Sequence, residues 1–176
     1  MSRPQAPEPV KLFASVLTGE HEVAESVFVQ LQKRFGPIDY TSEALPFSFT
    51  AYYEKEIGSN LFRYLVSFRE LVLPDLLPSA KLFTNSLEDM WVRADGTRRA
   101  NIDPGYIALC HMVLATCKQF THRPYLGRGV YADLTLLYQR GTFRPLEWTF
   151  PDYASRELIE LLNSIRTVYF NQLRAG

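Results

Sequence analysis

Cysteine is scarce in this chain of 176 residues: only Cys110 and Cys117, seven positions apart, with no CxxC or Cys/His spacing around them. That excludes a disulfide framework and a zinc ribbon, and two reduced core thiols are expected instead. No run approaches the ~18 consecutive apolar residues of a membrane-spanning helix. The stretch 1–9 is a polar, proline-punctuated flexible lead without the apolar centre of a secretory signal, so a cytoplasmic location and no membrane partner are expected. Net charge is also missing: 19 basic and 19 acidic residues cancel, which counts against attraction to nucleic acid or membrane by bulk charge. The phosphate loop GxxxxGK[ST], the dinucleotide loop GxGxxG, the GxSxG elbow and HExxH are all absent, and the histidines at 21, 111 and 122 form no HxH pair, so no metal site is expected.

Aromatic residues are abundant. Phe 12, Tyr 10 and Trp 2 make up 14% of the chain, within an otherwise ordinary globular composition of 47% hydrophobic and 22% charged residues. Charge is unevenly spread. Residues 1–92 carry a net of −4, residues 93–144 a net of +5 and residues 145–176 a net of −1. The middle segment is where an anionic ligand would bind, unless it is simply a solvated basic face.

One domain over 10–176 is expected. Val10–Leu17 reads as a strand ended by Thr18-Gly19. Val23, Ala24, Val27, Phe28, Leu31 and Phe35 mark a helix stopped by Gly36-Pro37. Phe47–Tyr53 and Phe62–Arg69 alternate as neighbouring strands. Leu76, Ala80, Phe83, Leu87 and Met90 predict a second helix, with Pro78 in its first turn. After the Asp95-Gly96 turn the chain returns to strand at 99–102. Residues 103–118 are ambiguous: a short helix capped by Asp103 and Pro104, running into a strand, is taken over continuous strand. Val130–Tyr138 alternates, Gln139–Thr142 makes a hairpin, and a closing helix starts near Ser155. The order predicts an α+β fold, a ferredoxin-like βαββαβ sheet with helices on one face, extended by C-terminal strands and a terminal helix.

Polar residues crowd the strands and loops of 84–153. Arg99, Asn101 and Asp103 share one face of an extended chain. Lys118, His122 and Arg123 lie at a bend closed by Pro124, beside Tyr125. Tyr131, Asp133 and Thr135 share another strand face, and Trp148, Asp152 and Tyr153 end the last strand. Arginine and lysine beside aromatic faces suit phosphate binding with ring stacking, and carboxylates from separate strands suit a magnesium ion held through waters. Each piece also has a plain structural reading. Asn101–Tyr106 reads equally as a turn and cap, His122-Arg123 as loop closure, Tyr131-Asp133-Thr135 as a solvated face, and Pro151-Asp152 as a helix start. Asn85 and Glu88 read as a local cap rather than a ligand pair.

In Pro9–Phe13, Gly36–Asp39, Phe49–Tyr53, Ser67-Phe68, Thr84–Glu88, Asn101–Tyr106, Leu114–Thr116, His122-Arg123 and Trp148–Tyr153, the chain resembles a bacterial family, domain-of-unknown-function (DUF) family 4416. The pieces run in order over nearly the whole chain. The resemblance implies little about activity beyond an association with GTP binding, for which this chain has no phosphate-cradling loop.

The leading expectation is a protein that binds a phosphorylated small molecule, with a nucleotide as the first case. Arg99, Lys118, Arg123 and His122 would hold phosphate, Tyr125, Tyr131 or Trp148 would stack on the ring, and Asp103, Asp133 and Asp152 would orient the ligand or magnesium. Single-stranded RNA on an aromatic sheet is the second reading, weakened by zero net charge. A protein-interaction role, including a homo-oligomer through Trp148 and Tyr153, is the third. Whether a reaction is catalysed is left open.

Overall fold

The computed structural model describes residues 3–50 and 52–175. The first half comprises β1 (Val10–Thr18), α1 (His21–Phe35), β2 (Ile38–Thr41), β3 (Leu45–Phe47), β4 (Leu61–Val72) and α2 (Leu77–Met90). The second comprises β5 (Ala100–Ile107), β6 (His111–Thr116), β7 (Tyr125–Gly127), β8 (Val130–Gln139), β9 (Thr142–Pro145) and α3 (Arg156–Ala175). All nine strands join one antiparallel sheet in the order β2-β4-β1-β5-β6-β8-β7, with β3 also on β4 and β9 also on β8. The expected α+β class is therefore present. Among the described residues no helix is long and apolar enough to cross a membrane.

β1 is buried at every position because it lies between β4 and β5 with both faces covered. Its even residues Leu12, Ala14 and Val16 meet Val27 and Leu31 of α1 and Ala80 and Leu87 of α2. Phe13 points the other way, with Leu65, Met112 and Leu136, towards Leu158, Leu162, Ile165 and Tyr169 of α3. Period two in the strands and 3.6 in the helices thus produce a helix–sheet–helix sandwich. The expectation of helices on one face is corrected: α3 covers the face opposite α1 and α2, packing on Phe13 of β1 and Leu65 of β4, while the polar Lys11, Ser15, Arg63 and Ser67 of that face are buried with partners. Gly36 ends α1 at φ 91°, where its N–H reaches the Gln32 carbonyl.

Other local expectations also change. The strand expected over Phe47–Tyr53 stops at Phe47, and Tyr53–Lys55 forms a 3-10 turn; Ala51, which that expectation included, lies outside the described residues. The short helix expected after Asp103 does not form. β5 runs straight through Asp103-Pro104-Gly105 to Ile107, and β6 follows after a tight turn. Proline is tolerated there because β6 pairs only with Gly105–Ile107, so Pro104 needs no ladder partner on that side. Gly105 is required by packing: a Cβ there would lie 2.5 Å from the Val113 carbonyl oxygen and 2.7 Å from Phe13 Cζ. Cys110 and Cys117, expected in the core, are both exposed and free.

Candidate functional site

β5 and β6 pair over only three residues. Below Gly105 the two strands splay, and among the described residues no strand pairs with 100–103 of β5 on the edge away from β1. Helix α2 supplies side chains in place of that strand. Glu88 Oε1 accepts the Ile102 amide at 2.6 Å, and Lys81 Nζ donates to the Ile102 carbonyl at 3.3 Å and to Asp103 Oδ1 at 2.9 Å. Lys81 and Glu88 stand seven residues apart, two helical turns, and so share one stripe of α2. Both are buried, and the backbone bonds they make take up polar groups that would otherwise be stranded.

The electrostatics follow from this crowding. Burial alone would pull the Lys81 ammonium down, but the neighbouring Asp103 and Glu88 carboxylates outweigh it and hold its pKa above the ordinary lysine value. Burial would raise Asp103; Lys81, Arg63 and a 2.6 Å hydrogen bond from Asn101 Nδ2 outweigh it and hold this carboxyl below its usual range. Glu88 keeps the sign of its burial and is pushed up, against the pull of Lys81. Tyr53 and Tyr153 are both raised by burial.

Along this splay runs a two-part cleft. Its polar compartment, about 260 Å³, is floored by Lys81, Asn85, Glu88, Arg98, Asn101 and Asp103, with Thr116, Cys117, Arg123 and Asp133 opposite. The adjoining compartment, about 450 Å³, has aromatic walls of Phe47, Phe49, Tyr52, Tyr53, Phe150 and Tyr153 over Arg63 and Asp152. Tyr52, Tyr53, Asp103, Leu114, Lys118 and Phe150 line both. The charges are neutralised pairwise: Lys81 with Asp103, Arg98 with Glu88, Arg123 Nε with Asp133 at 2.8 Å, and Arg63 with Asp152 at 2.6 Å. Arg98 also reaches Glu56 outside the cleft. Lys118 differs. Among the described residues it makes no ion pair: its ammonium sits 5.1 Å over the Tyr52 ring and donates to the Tyr52 hydroxyl at 3.4 Å, with the Glu56 carboxylate acting on it only at longer range.

Of the residues expected from sequence, the cleft gathers Asn101, Asp103, Lys118, Arg123, Asp133, Asp152 and Tyr153. Arg99 is elsewhere, engaged by both carboxylate oxygens of Glu20. His122 stacks on Trp148 at 4.8 Å and 12°, behind Asp133, and its buried Nε2 has no hydrogen-bond partner among the described residues. Trp148 itself donates to the Leu134 carbonyl. Tyr125 and Tyr131 pack on each other at 5.1 Å away from the cleft. Thr135 is buried and bonds the Asp133 carbonyl. Burial of Asp133 and Thr135 corrects the solvated-face reading: the 118–123 bend lies over Asp133, with Arg123 Nε donating to its carboxylate and His122 beside it, and Thr149 bonds the Thr135 carbonyl. Asp152 does not start α3; Ser155 does, through its side chain to the Leu158 amide. Asn85 and Glu88 are not a local cap, because both line the cleft.

Sequence reasoning missed Tyr52, Tyr53, Arg63, Lys81 and Arg98. For α2 a signal existed. Lys81, Asn85 and Glu88 form a polar stripe at helical spacing directly beside the apolar stripe of Ala80 and Leu87, whereas a solvated face would lie opposite it. Arg63 carried no such signal, since an arginine facing inward on an alternating strand looks like any outward one.

The carboxylates suited to a magnesium ion are occupied by cations. Among the described residues no three His, Cys, Asp or Glu side chains are grouped to hold a metal, so an ion would rely on ligand oxygens. Residues 8–169 match a family model described as a domain of unknown function, DUF4416. No curated protein and no solved structure matches the chain.

Proposed function

The chain belongs to this family of unknown function, and from the cleft alone we propose that it binds a phosphorylated small molecule carrying a flat ring, with a nucleotide as the leading case. The observation that carries this is Lys118, a cation without a carboxylate partner, set where the aromatic and polar compartments meet. The ring stacks among Tyr52, Phe150 and Phe49, and the phosphate meets Lys118, next to the Arg123–Asp133 pair. The joint volume falls within the ~300–1,000 Å³ usual for small-molecule sites. Four neutralised pairs fix the walls, so little ordering remains to be done on binding. Magnesium enters only with the phosphate oxygens.

A single-stranded RNA is less well supported: helices cover both faces of the sheet around β1, and the aromatic rings line a cleft rather than an open platform. The β1-α1-β2-β4-α2-β5 portion, ordered β2-β4-β1-β5 with every pairing antiparallel, is read as the ferredoxin-like core, β3 being an insertion and β6–β9 the extension. Two exposed free thiols support a reducing, cytoplasmic compartment.

Thermal shift and calorimetry against nucleotides and sugar phosphates, with and without magnesium, test the reading. Ligand at 100 times its dissociation constant stabilises by about 2.7 kcal/mol. Lys118→Ala loses a charged hydrogen bond worth about 1.5–3 kcal/mol, so its affinity falls at least about tenfold. Phosphate release in the same mixtures detects turnover. A well-folded protein indifferent to every phosphorylated ligand overturns the proposal.

A further inference from the structure

Resting on that reading, we infer that the site selects a nucleoside monophosphate, or a phosphomonoester of like shape, over the di- and triphosphate. The argument is one of charge and position. Among the described residues, five cations and four carboxylates line the two compartments, and each carboxylate is already paired with its own cation. One positive charge, that of Lys118, is left for a ligand. A phosphomonoester carries between one and two negative charges at neutral pH, and a triphosphate about four.

Position sharpens the argument. Lys118 lines both compartments, so with the ring among Phe49, Tyr52 and Phe150 the first phosphate arrives beside it. A second and third phosphate extend into the polar compartment. There they meet Glu88, Asp103 and Asp133, which hold their cations by direct contact and so oppose further anions. Lys81 is no substitute: its ammonium is spent on Asp103 and the Ile102 carbonyl, and its side chain is only 9% exposed. Elsewhere in proteins triphosphates are met by a backbone cradle and a held magnesium ion, and this chain has no glycine-rich loop at the cleft.

The experiment is calorimetric titration of the full chain with the free nucleoside, mono-, di- and triphosphate of each common base, and with inorganic phosphate, at fixed ionic strength and without added magnesium, so that the charge difference between the ligands stands. The monophosphate is expected to bind tightest, by about tenfold or more over the triphosphate, because like-charge juxtaposition costs at least a decade of affinity. Lys118→Gln should bring the monophosphate down to the affinity of the nucleoside while leaving the nucleoside unchanged. Triphosphate binding as tight as or tighter than monophosphate overturns this inference and leaves the binding proposal standing. Absence of binding by the whole series, in protein with native circular dichroism, overturns both.

Discussion

Lys81→Met replaces the buried ammonium by an apolar side chain of similar length and tests the plug at the splayed strands. The mutation removes the 2.9 Å ion pair with Asp103 and the bond to the Ile102 carbonyl. Breaking a fully buried pair by taking away one partner costs about 3–5 kcal/mol. The Lys81 side chain is 9% exposed and that of Asp103 26%, so water at the carboxylate lowers the expectation to about 2–4 kcal/mol. For a domain of this size each kcal/mol is worth about 2–4 °C, giving a fall in Tm of roughly 5–15 °C. Urea unfolding by fluorescence should show a lower midpoint at unchanged slope. The sharper assay is a double-mutant cycle with Asp103→Asn, in which the double variant should be more stable than the sum of the singles predicts, by about 1–3 kcal/mol. The pH profile has two edges. Asp103, held below its ordinary 3.8, contributes stability present above that value and lost as pH falls through its folded pKa. Lys81, held above its ordinary 10.5, contributes stability present below that value and lost as pH rises through its folded pKa. A Lys81→Met protein within ~0.5 kcal/mol of the parent, or an additive cycle, would refute the reasoning, because that is the range of an ordinary surface change.

Three further outcomes follow from the geometry. Gly105→Ala should destabilise by about 1–3 kcal/mol in chemical denaturation, since the new methyl group collides with the Val113 carbonyl and the Phe13 ring; an unchanged midpoint would show that the strands give way freely. Glu88 is raised above its ordinary 4.5, so the folded protein holds its proton longer and loses stability as pH rises from 4.5 through the folded pKa; Glu88→Gln should remove that slope, and identical pH profiles would count against the burial argument. Ser155→Ala removes the side-chain acceptor of the Leu158 amide and should cost about 1 kcal/mol by thermal unfolding; no loss would mean that the first turn of α3 is capped by solvent.

Elements marked in the sequence by a continuous apolar run or one clean period were legible: β1, α1, β4, α2 and α3 all lie where those patterns put them. The failures share a cause in long-range context. Asp103-Pro104 carries the local signal of a helix start, and only the position of β6, ending its pairing at Gly105, makes an extended proline acceptable. Asp133 and Thr135 alternate like a solvated face, yet the 118–123 bend folds over it and Arg123 neutralises the carboxylate. Part of the site was visible because β5, β8 and the 118–123 bend bring their polar residues together. Lys81 and Arg63 were not, because a charged residue on an amphipathic element is usually an outward one, and each is kept inside by a partner distant in sequence, Asp103 or Asp152.

The side chains that seal the half-edge of β5 also bear on how this protein avoids its own kind. A strand with free amides and carbonyls in the middle of a sheet is a template on which another chain can add itself, and proteins usually blunt such templates at the outer margin. Here the vulnerable stretch is internal, and two charged side chains from α2 occupy the Ile102 ladder positions in advance. An intruding strand would have to expel a buried lysine and a buried glutamate before forming its first backbone bond. The charge that gives the cleft its polar floor therefore also protects the chain from strand-to-strand assembly.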